Sequence, residues 1–141
     1  MAQYLYPFIA RPTLVLQSSY DLNQMVTGGP AAECLPPADP YHPGVPMMPW
    51  SNCTAEQIEQ MSVYGDALNA TMFIATRGSV FAPTCGIHCY TGYWNSITIN
   101  GETMADAIGK FWAADEPVGM LWYDTCRGPN CNPTCPGNGP H

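Results

Sequence analysis

The chain reads as an α/β protein in which a few parallel strands are packed by two main helices, with long loops braced by disulfides. Three observations carry this. Two short β-prone apolar runs, "TLVLQS" at 13–18 and "SVFAPT" at 79–84, flank a stretch of helical period, and parallel strands need such a crossover. A second helical period follows further along the chain. The 15 prolines, 13 glycines and 7 cysteines assign the rest to ordered loops rather than to a coiled coil or a disordered tail.

The elements follow in order. Residues 13–18 form a buried strand, and the loop "SYDLNQ" behind it places Asp21 just past the strand's carboxyl end. Residues 27–53 are rich in proline and lack any hydrophobic period, as expected of an excursion pinned by cysteines. At 54 a helix starts, with Thr54 as N-cap and Gln57 at the capping-box position. Ile58, Met61, Tyr64, Leu68 and Met72 then recur at helical spacing. Residues 79–84 form the second strand, and the turn "CGIHC" follows it directly. "SITIN", 96–100, is either a short strand or an extended connection. A second helix begins near Thr103 with Asp106 in its first turn and Met104, Ile108, Phe111 and Trp112 on one face. It ends around Asp115 to Pro117, since proline cannot continue it. Residues 118–141 are a cysteine-rich tail. No repeat and no linker divides residues 1–141, which form one domain.

Charge and cysteine content exclude several classes. With 4 basic and 11 acidic residues the net charge is −7, so nucleic acid and anionic membrane, which need clustered Lys and Arg, are poor partners. No apolar run reaches the roughly 18 residues of a membrane span. Cys34, Cys53, Cys85, Cys89, Cys126, Cys131 and Cys135 are too many for ordinary cytosolic usage and read as disulfide formers in an oxidising compartment. The glycosylation acceptors Asn52-Cys53-Thr54 and Asn69-Ala70-Thr71 agree with a secreted protein, whereas Asn132-Pro133-Thr134 is disqualified by its proline. The start "MAQYLYPFIARP" is not a signal peptide. The odd cysteine count and that start both follow if Met1 is internal to a longer chain; a free thiol or an intermolecular disulfide is the other account of the count.

His88 lies between two cysteines on a glycine-containing turn, and three readings compete for it. Cys85, His88 and Cys89 with Cys126, Cys131 and Cys135 offer N and S ligands for zinc, but structural zinc sites favour paired C-x2-C knuckles, and disulfides use these thiols better; no metal and no cofactor is expected. An inert, hydrogen-bonded imidazole is the second reading. The third is a general base, held rigidly near the surface by its loop. Asp21 taken alone is a turn or cap aspartate. Together, strand then Asp21 and strand then His88 give the last two members of the Ser, Asp, His order of α/β-hydrolases. No G-x-S-x-G elbow occurs, and Ser18, Ser19, Ser62, Ser79 and Ser96 lack its context. Trp50, Trp94, Trp112 and Trp122 are either core residues or the lining of a sugar cleft.

Five ordered segments carry a family resemblance: "TLVLQSSYDLNQ", "CTAEQIEQM", "TCGIHCYTGYW", "TMADAIGKFW" and "DTCRGPNCNPTC". They are similar to the carboxyl-terminal part of the pectin acetylesterase and Notum carboxylesterase family. The resemblance implies a fold that is the trailing portion of an α/β-hydrolase, so that 1–141 is a partial domain. It further implies Asp21 as triad acid and His88 as base of a carboxylic ester hydrolase acting on acetylated polysaccharide or another ester. Gly86 stands where the family has an aromatic and Tyr90 where glutamine is common, so the pocket differs while the base is kept. The serine and oxyanion hole would come from a missing N-terminal portion or a partner chain, and the isolated chain is predicted to be inactive. The alternative is a non-catalytic, disulfide-rich structural or binding module derived from the esterase fold.

Overall fold

A computed structural model describes residues 8–9, 11–27, 29–34, 50–75, 78–88, 92–117 and 119–136. The elements are β1 (Leu14–Leu16), α1 (Leu22–Val26), a 3-10 turn (Trp50–Asn52), α2 (Ala55–Ala75), β2 (Ser79–Ala82), β3 (Thr98–Ile99), β4 (Glu102–Thr103), α3 (Met104–Ala113) and β5 (Leu121–Tyr123). β1, β2 and β5 form a parallel sheet in that order, with Val15 beside Val80 and Phe81 beside Trp122. β3 and β4 make a separate antiparallel pair. The fold is α/β, as expected.

The central strand explains the architecture. All four residues of β2 are buried, because a parallel strand with helices on both faces has no wet side. On one face Phe81 and Trp122 pack with Met104, Ala107 and Ile108 of α3. On the other, Val15, Val80 and Ala82 pack against Leu68 and Met72 of α2. β1 and β2 therefore alternate between two helices, as period-two side chains require.

Both helix starts form where the sequence places them. Thr54 and Gln57 exchange the reciprocal bonds of a capping box at α2, the Thr54 amide donating to Gln57 Oε1 at 2.8 Å and the Gln57 amide to Thr54 Oγ1 at 3.2 Å. Thr103 and Asp106 do the same at α3. Trp112 departs from expectation: it is 80% exposed, lying about 80° around the helix from the buried Met104. Two more differences matter. The tail contains β5, whose three residues are too short to show a period. "SYDLNQ" is not simply a loop, since Leu22 already starts α1, with Asp21 as its N-cap.

Three disulfides brace the loops: Cys34–Cys53, Cys85–Cys135 and Cys126–Cys131. These thiols are committed and do not ligate a metal. Cys89 and Tyr90 lie outside the described residues, as does most of the 27–53 excursion. Among the described residues no helix is long and apolar enough to cross a membrane.

Candidate functional site

The site forms where β1 and β2 end. Neighbouring parallel strands leave their carboxyl ends side by side, and the pairing continues past both strands: the Gln17 amide donates to the Phe81 carbonyl at 3.2 Å and the Ser19 amide to the Pro83 carbonyl at 3.0 Å. The buried hydroxyl of Ser18 adds bonds to the carbonyls of Pro83 and Cys85. The two loops are thereby fastened together before they reach Asp21 and His88.

Asp21 and His88 meet. His88 Nδ1 lies 3.0 Å from both carboxylate oxygens of Asp21, although 67 residues separate them. An ionised carboxylate only accepts, so Nδ1 carries the proton and donates it, and in the neutral tautomer of such a ring the lone pair sits on Nε2. The side chain of Asp21 is 6% exposed and that of His88 52%, so the carboxylate is sheltered while the imidazole faces outward. The Gln24 amide donates to Asp21 Oδ1 at 3.1 Å as the N-cap bond of α1, and Gln17 Nε2 donates to Oδ2 at 3.2 Å. Three donors thus hold the carboxylate, and the acid is fixed to the start of a helix rather than to a free loop.

The ring of neighbouring Tyr20 is buried beneath, its hydroxyl accepting from the Gly128 amide at 3.0 Å. Burial pushes that phenol above its ordinary pKa. Helix α2 comes this close only because residue 65 is glycine: a Cβ there would lie 2.7 Å from the ring.

The loop carrying His88 is braced from the tail. Asp124, just past β5, accepts from the Thr84 amide at 2.8 Å, from the Thr84 hydroxyl at 3.0 Å and from Asn132 Nδ2 at 2.9 Å. Asn130, in the left-handed region at φ 57°, accepts from the Gly86 amide at 2.6 Å. The Cys85–Cys135 disulfide closes the same loop. From the residues alone Thr84, Asp124, Asn130 and Asn132 carry no functional signal, except that two of them stand between closely spaced cysteines.

The other expected site residues are placed as follows. Asn52 is exposed; Asn69 is half-buried on α2 and accepts from Ser19 Oγ at 2.7 Å. Trp122 is a core residue, Trp94 and Trp112 are exposed, and Trp50 is half-buried. Among the described residues no three His, Cys, Asp or Glu side chains are grouped as a metal site would need.

With this geometry in place, comparison with known proteins identifies the family. No curated protein is significantly similar to the chain. Among solved structures, two crystal forms of the Wnt deacylase Notum from Drosophila are similar to it, both with a TM-score of 0.66, at 24% and 25% identity. Each match covers 95% of this chain and 33% of the other, so the chain spans about a third of the length of these structures and has the architecture of a portion of an α/β-hydrolase. The pectinacetylesterase family matches residues 1–136, nearly the whole sequence. The chain belongs to the pectinacetylesterase family.

Proposed function

We propose that the chain carries the acid and the base of a secreted carboxylic ester hydrolase that removes acetyl groups from carbohydrate. The observation that supports this is the contact of His88 Nδ1 with the sheltered Asp21 carboxylate, made by an imidazole that is half exposed. Asp21 holds the ring in one tautomer and stabilises the imidazolium; His88 takes the proton of a serine hydroxyl as it attacks the ester carbonyl, then gives it to the leaving alcohol. The serine and its oxyanion hole come from a longer form of the protein or from a partner chain, and 141 residues alone lack turnover. Disulfides and the acceptors Asn52 and Asn69 support passage through the secretory pathway.

The test is hydrolysis of p-nitrophenyl acetate and of acetylated pectin by the natural-length protein. Asp21→Asn keeps a good helix cap but turns the ring towards the wrong tautomer, so kcat falls by about 10⁴-fold with the fold intact. His88→Ala abolishes turnover. The second reading is a binding or structural module that keeps Asp21 as a cap. Unchanged activity in both variants refutes the roles given to Asp21 and His88, and a natural-length protein without turnover on either ester decides for that module.

A further inference from the structure

Gly86 lies in the base loop two residues before His88, and the structure shows what occupies the space beside its Cα. A Cβ on Gly86 would lie 2.2 Å from Cζ2 of Trp50, 3.0 Å from Cη2 and 3.3 Å from Cε2. The indole of Trp50 therefore presses its six-membered ring, on the side next to the N–H, against the backbone two residues before His88. On its other contacts the ring packs with the cluster of Tyr20, Leu22, Met25 and Met61, the cluster that seats Asp21 and α1. One side chain thus touches both the element that carries the acid and the loop that carries the base.

Two further observations say that this placement is held. The indole Nε1 is buried and finds no hydrogen-bond partner among the described residues, an arrangement that costs free energy and persists only where the surroundings fix the ring. The 3-10 turn bearing Trp50 is also tied down locally: the Cys53 amide donates to the Trp50 carbonyl at 3.0 Å, and Cys53 is bonded to Cys34.

We infer that Trp50 is a positioning residue that sets the distance between His88 and Asp21, acting through the backbone at Gly86. The inference rests on the proposed roles of Asp21 and His88, and it adds that the determinant of their geometry lies on the cysteine-pinned excursion, outside both catalytic loops. Since a displacement of about 1 Å costs on the order of a hundredfold in rate, deleting a wedge in van der Waals contact lowers kcat rather than substrate binding.

The experiment uses the natural-length protein with p-nitrophenyl acetate, reading kcat, KM, the pH profile and the downfield NMR resonance of the His88 Nδ1 proton. Trp50→Ala lowers kcat about tenfold to a hundredfold, leaves KM within about twofold, and weakens or shifts that resonance. Gly86→Ala displaces the indole and does the same. The pair Gly86→Ala with Trp50→Phe exchanges volume across the contact and recovers more than the product of the single effects predicts. Should Trp50→Ala fail to fold, the Gly86→Ala and double variants alone decide. Single effects that simply multiply, or a kcat and resonance unmoved by either substitution, overturn the inference. Loss of activity in His88→Ala alongside those results leaves the catalytic reading standing; full activity in His88→Ala removes that reading first.

Discussion

The cross-link between Cys85 and Cys135 offers the most direct test of how this fold is held. Both cysteines are buried in a small cluster with Ile87 and Ile97, and their bond closes a loop of sequence separation 50. Cross-linking removes entropy from the unfolded chain in proportion to the logarithm of loop length, so opening this bond costs about 4 kcal/mol. The same relation gives about 3 kcal/mol for Cys34–Cys53, of separation 19, and about 2 kcal/mol for Cys126–Cys131, of separation 5. Each pair is replaced by two alanines, which avoids burying new hydroxyls and leaves no half-bond to exchange with Cys89. Urea unfolding reads the outcome: for a slope near 2 kcal/mol/M, the Cys85/Cys135 variant loses about 2 M in midpoint, and the other two lose progressively less. Equal losses in all three, or the largest loss from the five-residue loop, refute the loop-length reasoning and assign the stability to local contacts.

Three further outcomes are expected. Asp124→Asn places an amide donor where the Thr84 amide and hydroxyl and Asn132 Nδ2 all need an acceptor, and costs about 2 kcal/mol in thermal or urea unfolding. Gly78→Ala puts a Cβ 2.0 Å from the Thr13 carbonyl that accepts the Ser79 amide; it breaks the entry to the β1–β2 pairing and costs about 3 kcal/mol or more, read as a fall in Tm. Glu102, bonded to Lys110 and to the Trp122 indole, is held below its ordinary carboxyl pKa of 4.5 in the folded state. Its contribution is therefore complete above that value and is lost as pH falls through the depressed folded value; Glu102→Gln flattens the acid limb of the stability curve below about pH 4.5, and an unchanged limb contradicts the assignment.

The strands that hold the site and both long helices were legible because each repeats a pattern. Leu14 to Leu16 and Ser79 to Ala82 are apolar runs of strand length, and Thr54 with Gln57 marks a helix start in four residues. β5 was not legible: Leu121, Trp122 and Tyr123 alternate exposed, buried, exposed over too few residues to distinguish a strand from a loop. The β3–β4 hairpin carried a readable signal, since Asn100 and Gly101 both take positive φ, at 54° and 82°, as a tight turn between antiparallel strands demands. Asp21 was readable both as a cap and, by resemblance, as an acid; in the structure it caps α1 and accepts from His88 Nδ1. The braces around His88 were invisible from sequence because Thr84, Asp124, Asn130 and Asn132 are ordinary polar residues until distant segments bring them together. The pairing of six cysteines is likewise a product of the fold, since spacing alone permits many connectivities.

The parallel sheet also sets a timetable. Its central strand must find one partner through Val15 and Val80 and the other through Phe81 and Trp122, all distant in sequence. The loop beside that strand is finished only when Asn130 and Cys135 join it. Pairings of this kind form slowly, since chain closure precedes the contacts that reward it. As the polypeptide emerges from the ribosome, Asp21 and His88 are therefore both made long before they can be locked together. During that interval the apolar edge of β2 is bare, and chaperones and disulfide isomerases have their opportunity to act. A chain released before residue 135 keeps both side chains but not the brace that holds them, so the site is completed by a segment made well after its own residues.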